Sequence, residues 1–117
     1  MSLAACGECG GARLRREALS VKVSDRSLVE VSSLSVHRAL EWFSELDLSD
    51  RDARIAAKIL REVRDRLGFL VSVGLDYLTL GQAAPTLSGG ESQRLKIARE
   101  LAMPSGKRNL YLLDEPT

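Results

Sequence analysis

Apolar and polar positions change period along the chain, and the changes mark its elements. Near the N-terminus Leu19, Val21 and Val23 alternate with Ser20, Lys22 and Ser24, a period of two that predicts a strand. Asp25-Arg26-Ser27 can turn the chain, and Leu28 to Val31 can return as a second strand of a small hairpin. From Ser35 the period lengthens. Val36, Ala39, Leu40, Phe43 and Leu46 share one face of a helix over 35–46, with Ser35 as its N-cap. Leu34 and Ala39 stand at hydrophobic-staple spacing across that cap. Ser49 or Asp50 opens a second helix with the stripe Ile55, Ile59, Leu60, Val63 and Leu67, and Gly68 is placed to stop it. Phe69 to Val73 reads as a further apolar turn of helix closed by Gly74. Tyr77 to Leu80 is short and apolar, and Gly81 to Pro85 is a loop.

Ser88-Gly89-Gly90 opens a third main helix. Leu95, Ile97, Ala98 and Leu101 form its buried side, and Arg94, Lys96, Arg99 and Glu100 point outward. Met103-Pro104-Ser105-Gly106 breaks it. Asn109 to Leu113 is continuously apolar after its first residue, the pattern of a strand buried on both faces. The class is α+β and mostly helical, with an N-terminal β-hairpin and one C-terminal strand. Residues 1–18 are expected to form a half zinc knuckle and leader, 19–103 the helical subdomain with its hairpin, and 104–117 a truncated strand segment.

Composition narrows the function. The 117 residues suffice for one domain or part of one, and apolar (44%) and charged (28%) shares are ordinary for a globular protein. A formal charge of +1 gives no global field toward nucleic acid or membrane. The apolar runs fall far short of the roughly 20 residues that span a bilayer, and the N-terminus lacks a signal pattern. The expected location is cytoplasmic. Because the chain ends on Asp-Glu-Pro-Thr, it reads as a piece of a longer protein.

Two segments carry chemistry. Over Leu87 to Arg94, a helix N-terminus offers unpaired N–H groups and the positive end of its dipole. Gly89 and Gly90 let the backbone approach an anion, Ser88 adds a hydroxyl, and Glu91 and Gln93 follow on the first turns. That set suits a terminal phosphate. Over Leu110 to Thr117, Asp114 stands at the carboxyl end of a strand, the usual ligand edge of an α/β sheet. A carboxylate there can hold Mg²⁺. Glu115, one residue on, can polarise an attacking water as general base, worth about 10²–10⁴ in rate. No Gly-x-x-x-x-Gly-Lys-[Ser/Thr] phosphate cradle occurs in the chain.

Cys6-Gly-Glu-Cys9-Gly has the spacing of a zinc knuckle, with both sulfurs aimed at one ion. Two ligands are half of a Cys₄ site. The other readings are two inert thiols or redox chemistry. The lone His37, expected on a helix, is a poor third ligand. Trp42 and Phe43 read as core, and the Arg13, Arg15 and Arg16 cluster as a solvated face.

The order of Leu-Ser-Gly-Gly-Glu (87–91) and Leu-Tyr-Leu-Leu-Asp-Glu-Pro-Thr (110–117) is that of the signature and Walker B motifs of ATP-binding-cassette (ABC) ATPases. The chain closely resembles the UvrA family of these ATPases, from the bacterial UvrABC excision-repair system. Cys6 to Arg15 is similar to the closing half of a UvrA zinc module. Arg66 to Leu80 resembles the approach to the UvrA signature, and Thr86 to Arg94 the signature itself. The resemblance implies an incomplete ABC α/β domain carrying signature-domain helices. It implies ATP, Mg²⁺ and zinc as cofactors, and DNA, UvrB and a second cassette or protomer as partners. Ser88, Gly89, Gly90 and Glu91 would face ATP held by another cassette. Asp114 and Glu115 would serve this cassette's own site.

Some features depart from the pattern. The helical stretch 49–67 resembles the N-terminal UvrA cassette, and 95–117 the C-terminal one. The first cysteine pair, the phosphate cradle, the Q-loop, the histidine switch and the UvrB-binding and insertion domains do not occur in these residues. A self-resistance paralogue and a stand-alone interaction module without ATPase activity remain alternatives.

Overall fold

The computed structural model describes residues 4–103 together with Leu110 and Leu112. Tyr111, Leu113, Asp114 and Glu115, and with them most of the expected C-terminal strand, lie outside the described residues. Leu110 and Leu112 are exposed, where a strand inside a sheet would bury them. Among the described residues no strand lies beside them to do so.

The cysteine turn leads into a single helical turn, α1 (Arg16–Leu19), and a two-stranded antiparallel hairpin, β1 (Lys22–Val23) and β2 (Arg26–Ser27). Lys22 faces Ser27 and Val23 faces Arg26. Ser24 and Asp25 between them both have positive φ, 47° and 66°, as the two-residue hairpin turn of primed type requires. The hairpin is therefore shorter than its alternation suggests, and Leu19 belongs to α1.

The return strand expected over Leu28 to Val31 is instead a helix, α2 (Leu28–Ser32). Ser27 decides this. Its hydroxyl accepts from the Glu30 N–H at 3.4 Å, and its own N–H donates to Glu30 Oε2 at 2.7 Å. This reciprocal capping box satisfies two donors at the helix start, while a strand of that length would find no pairing partner beyond β1.

Three longer helices form the body: α3 (Val36–Glu45), α4 (Asp50–Ser72) and α5 (Gly89–Ala102). Ser35, Ser49 and Ser88 cap them, each accepting a backbone N–H at its hydroxyl. The core is Val36 and Ala39 of α3, Leu67 of α4, and Leu75 and Leu78 of the segment after α4. Trp42 and Phe43 are half-buried, their rings edge to face at 4.8 Å.

Helix α4 does not stop at Gly68. It runs through to Ser72 and ends at Gly74, whose φ is +75°. The Gly74 N–H donates to the Val71 carbonyl and the Leu75 N–H to the Leu70 carbonyl, both at 2.9 Å. These two bonds define a Schellman stop. It turns Leu75 inward, where it is fully buried.

The segment 74–81 then crosses the start of α3. The Val36 N–H donates to the Leu78 carbonyl at 2.8 Å, and the His37 N–H to the Asp76 carbonyl at 3.0 Å. Two orphan donors of α3 are met in this way. Leu80 and Gly81 donate onward to the carbonyls of Leu34 and Ser32.

Two expected stripes are only partly covered. On α4, Leu67 is buried and Leu60 and Val63 half-buried, but Ile55 and Ile59 are 67% and 64% exposed. The cause is length. Helix α4 has 23 residues and α3 has 10, so at about 1.5 Å per residue α4 overhangs its neighbour. On α5 only Ala98 is fully buried, while Leu95 and Leu101 are 40% and 52% exposed. Helix α5 packs mainly on α4, with the 74–81 segment reaching its first two turns.

Candidate nucleotide-binding edge

Ser88 breaks the extended approach of residues 87–88 and begins α5. Its Oγ accepts from the Glu91 N–H at 3.2 Å, and its N–H donates to Glu91 Oε2 at 2.8 Å. The capping box leaves Gly89 and Gly90 in the first turn, whose N–H groups have no acceptor within the helix. Ser88 and Gly89 are exposed, and a Cβ added at Gly89 would meet nothing within 4 Å. Packing therefore does not demand glycine there. The bare backbone is open to a ligand approaching from solvent.

The same turn is held from behind by the 74–81 segment. Tyr77 Oη donates to Glu91 Oε1 at 2.6 Å. Arg94 Nη1 donates to the Gly74 carbonyl at 3.5 Å, and Arg94 Nε to the Gly90 carbonyl at 3.4 Å. The Tyr77 hydroxyl, then the Ser88 N–H, hold the Glu91 carboxyl below the usual carboxylate range. The same bond to Glu91 raises the Tyr77 phenol. Gln93 lies half-buried on the next turn of α5.

Ser88, Gly89, Gly90, Glu91 and Gln93 are thus gathered at one helix end. Asp114 and Glu115 lie outside the described residues. Tyr77 and the inward reach of Arg94 escape the sequence pattern. Tyr77 sits 14 residues before Glu91, with no period linking the two. The Ser-x-x-Glu spacing of 88–91 was the available sign that Glu91 turns back on its own helix start.

At the other end of the chain, the Gly10 N–H donates to the Cys6 carbonyl at 2.8 Å and the Ala12 N–H to the Cys9 carbonyl at 2.9 Å. Backbone N–H groups of Cys9 and Glu8, then the Cys9 side chain, hydrogen-bond the Cys6 sulfur and lower its pKa. A tight turn that directs amides at a sulfur suits a thiolate ligand. The donor set fits half of a four-ligand zinc site. Among the described residues no group of three or more His, Cys, Asp or Glu could hold a metal. His37 lies on α3 beside Glu41, at 3.3 Å. No helix among the described residues is long and apolar enough to cross a membrane.

The glycine-opened, serine-capped first turn of α5 is thus presented to solvent. The match to the family described as "ABC transporter" covers residues 10–117, and the chain belongs to that family of ATP-binding cassettes. Within it the chain is similar to UvrABC system protein A. It is 55% identical to that of Thermus thermophilus over 120 residues, and 50% identical to that of Listeria monocytogenes over 115. These alignments cover 100% and 96% of this chain but 12% of either relative. The fold is similar to the crystal structure of UvrA2 from Deinococcus radiodurans. That match has a TM-score of 0.73 and 38% identity, and covers 95% of this chain and 12% of the other.

Proposed function

We propose that residues 19–103 are the signature-bearing helical part of a UvrA-like ATPase acting in nucleotide excision repair, and that 104–117 carry its Walker B strand. The observation that carries this is the first turn of α5. Its hydroxyl and glycine backbone are exposed, and its carboxylate is turned back on its own helix start. In this reading Ser88, Gly89 and Gly90 meet the terminal phosphate of ATP held by another cassette. Asp114 would hold Mg²⁺, which draws charge from the phosphates as they part. Glu115 takes the proton of the attacking water. Cys6 and Cys9 supply half of a zinc knuckle, and DNA, UvrB and a second cassette or protomer are partners of the whole ATPase. The 55% identity to a repair protein supports this over the self-resistance paralogue.

The chain by itself should not hydrolyse ATP, since no Gly-x-x-x-x-Gly-Lys-[Ser/Thr] is present to cradle the β- and γ-phosphates. The test is a chimera in which these residues replace their counterpart in the Thermus thermophilus relative. Ser88→Arg should leave ATP binding intact and cut turnover about a hundredfold, as loss of a transition-state donor does. Glu115→Gln should do the same. Turnover indifferent to Ser88→Arg overturns the reading, as does steady phosphate release by the isolated chain that Glu115→Gln abolishes.

A further inference from the structure

We propose that Tyr77 is a positioning residue of the signature motif: its hydroxyl holds Glu91 against the Ser88 N–H and so fixes the first turn of α5. The inference rests on the composite-site reading above and adds to it a residue outside the motif.

The argument begins with the backbone that carries Tyr77. Leu75 is fully buried and Leu78 nearly so, on either side of it. The Asp76 and Leu78 carbonyls accept the first N–H groups of α3. The Schellman stop at Gly74 fixes the segment's start. Tyr77 is 55% exposed, yet the carbonyls of both its chain neighbours, Asp76 and Leu78, are bonded to the start of α3. It is a stable post from which to reach another element.

Glu91 is where it reaches. A capping-box glutamate needs one carboxylate oxygen for the helix start. Here Oε2 takes the Ser88 N–H and Oε1 takes the Tyr77 hydroxyl, at 2.8 and 2.6 Å. Two bonds to different elements restrain the carboxylate more than the capping bond alone does. Arg94 makes the matching tie on the other side, joining the Gly74 and Gly90 carbonyls. The phosphate-facing turn is therefore set by segment 74–81, which is itself bonded to the start of α3. Preorganised donors are most useful where charge develops during reaction, because they need not reorganise then. Loss of Tyr77 should therefore lower turnover and leave nucleotide affinity alone, since affinity is carried by the phosphate cradle of the facing cassette.

Tyr77→Phe keeps the ring and removes only the hydroxyl. In the chain itself the expected result is a Glu91 carboxyl, followed by NMR, that titrates closer to its ordinary value. Amide exchange at Ser88 and Glu91 should rise about fivefold, the scale of one exposed hydrogen bond, with helix content unchanged. In the chimera, kcat should fall about fivefold with KM for ATP within about twofold. Unchanged titration and exchange in Tyr77→Phe overturn the proposal, as does an unchanged kcat in a chimera that Ser88→Arg disables. If Ser88→Arg is also silent while Glu91 responds, the composite site has failed and the Tyr77 tie stands.

Discussion

The Arg64 guanidinium closes on a single backbone oxygen, the carbonyl of Phe43, with Nε at 2.9 Å and Nη2 at 2.6 Å. That oxygen belongs to the last turn of α3, where carbonyls run out of intrahelical partners. Arg64 is half-buried on α4, so the bond ties two helices and ends one of them. Arg64→Ala should cost about 1–2 kcal/mol, the range for a charge-assisted bond whose partner is left short. Arg64→Lys should recover less than half, because an ammonium has no planar fork. Urea unfolding followed by helix signal, with unchanged m, is the measurement.

Gly68 and Gly74 should respond to alanine with opposite signs. Gly68 lies inside α4, and an added Cβ there meets nothing within 4 Å. Gly68→Ala should therefore stabilise by about 0.8–1 kcal/mol, the helix-propensity difference. Gly74 has a φ of +75°, and its Cβ would sit 3.4 Å from Arg94 Nη1. Gly74→Ala should destabilise by about 1–2 kcal/mol through the left-handed backbone alone. Thermal melts of the two variants decide it, and two shifts of the same sign would contradict the Schellman stop.

The same two glycines show what the sequence could and could not yield. Both are followed by apolar residues, so a C-terminal stop is readable at either. Only tertiary contacts make Gly74 the true one, because Leu75 must turn into the core. The serine caps at 35, 49 and 88 were readable because capping is local chemistry. At α2 the capping box at Ser27 competes with the strand-like alternation of Val29 and Val31, and the cap wins. The motif residues 88–91 were readable as a helix start. The tie from Tyr77 was not, since it joins elements whose approach depends on packing.

Acid should loosen the start of α5 before the core. The Glu91 carboxyl, bonded to Tyr77 and Ser88, is lowered from its ordinary 4.5, and Glu30 at the start of α2 is lowered from the same value by its bonds to Ser27. A carboxyl with a depressed folded value binds its proton more readily unfolded. Its stabilising contribution is thus complete above about 4.5 and is lost as pH falls through the lower folded value. Amide exchange at the starts of α2 and α5, corrected for intrinsic rates, should rise below that pH. Glu91→Gln should remove the dependence at α5 and leave that at α2.

Cys6 should react ahead of Cys9. Its thiol is exposed, and backbone N–H groups from Cys9 and Glu8 favour the thiolate. Cys9 is more covered. The thiolate is the nucleophile. Limited iodoacetamide near neutral pH, read by peptide mass spectrometry, should mark Cys6 first, and added zinc should slow both sites only weakly in the isolated chain. Strong protection at one zinc per monomer would show that further ligands exist.

The overhang of α4 separates two kinds of apolar residue. Ile55 and Ile59 look like core in the sequence, four positions apart on the stripe that also holds Leu67. In the fold they are 67% and 64% exposed, whereas Leu75 is fully buried between α3 and α4. A side chain contributes hydrophobic stabilisation through the area it removes from water. Ile55→Lys and Ile59→Lys should then change the unfolding free energy of the chain by less than about 0.5 kcal/mol. Leu75→Ala removes buried methyl groups and leaves a cavity, at a cost of about 2–5 kcal/mol. Urea titrations of all three separate the cases. A loss above about 2 kcal/mol for either isoleucine, on the scale of buried-residue truncation, would mean that the first half of α4 packs on another part of the chain.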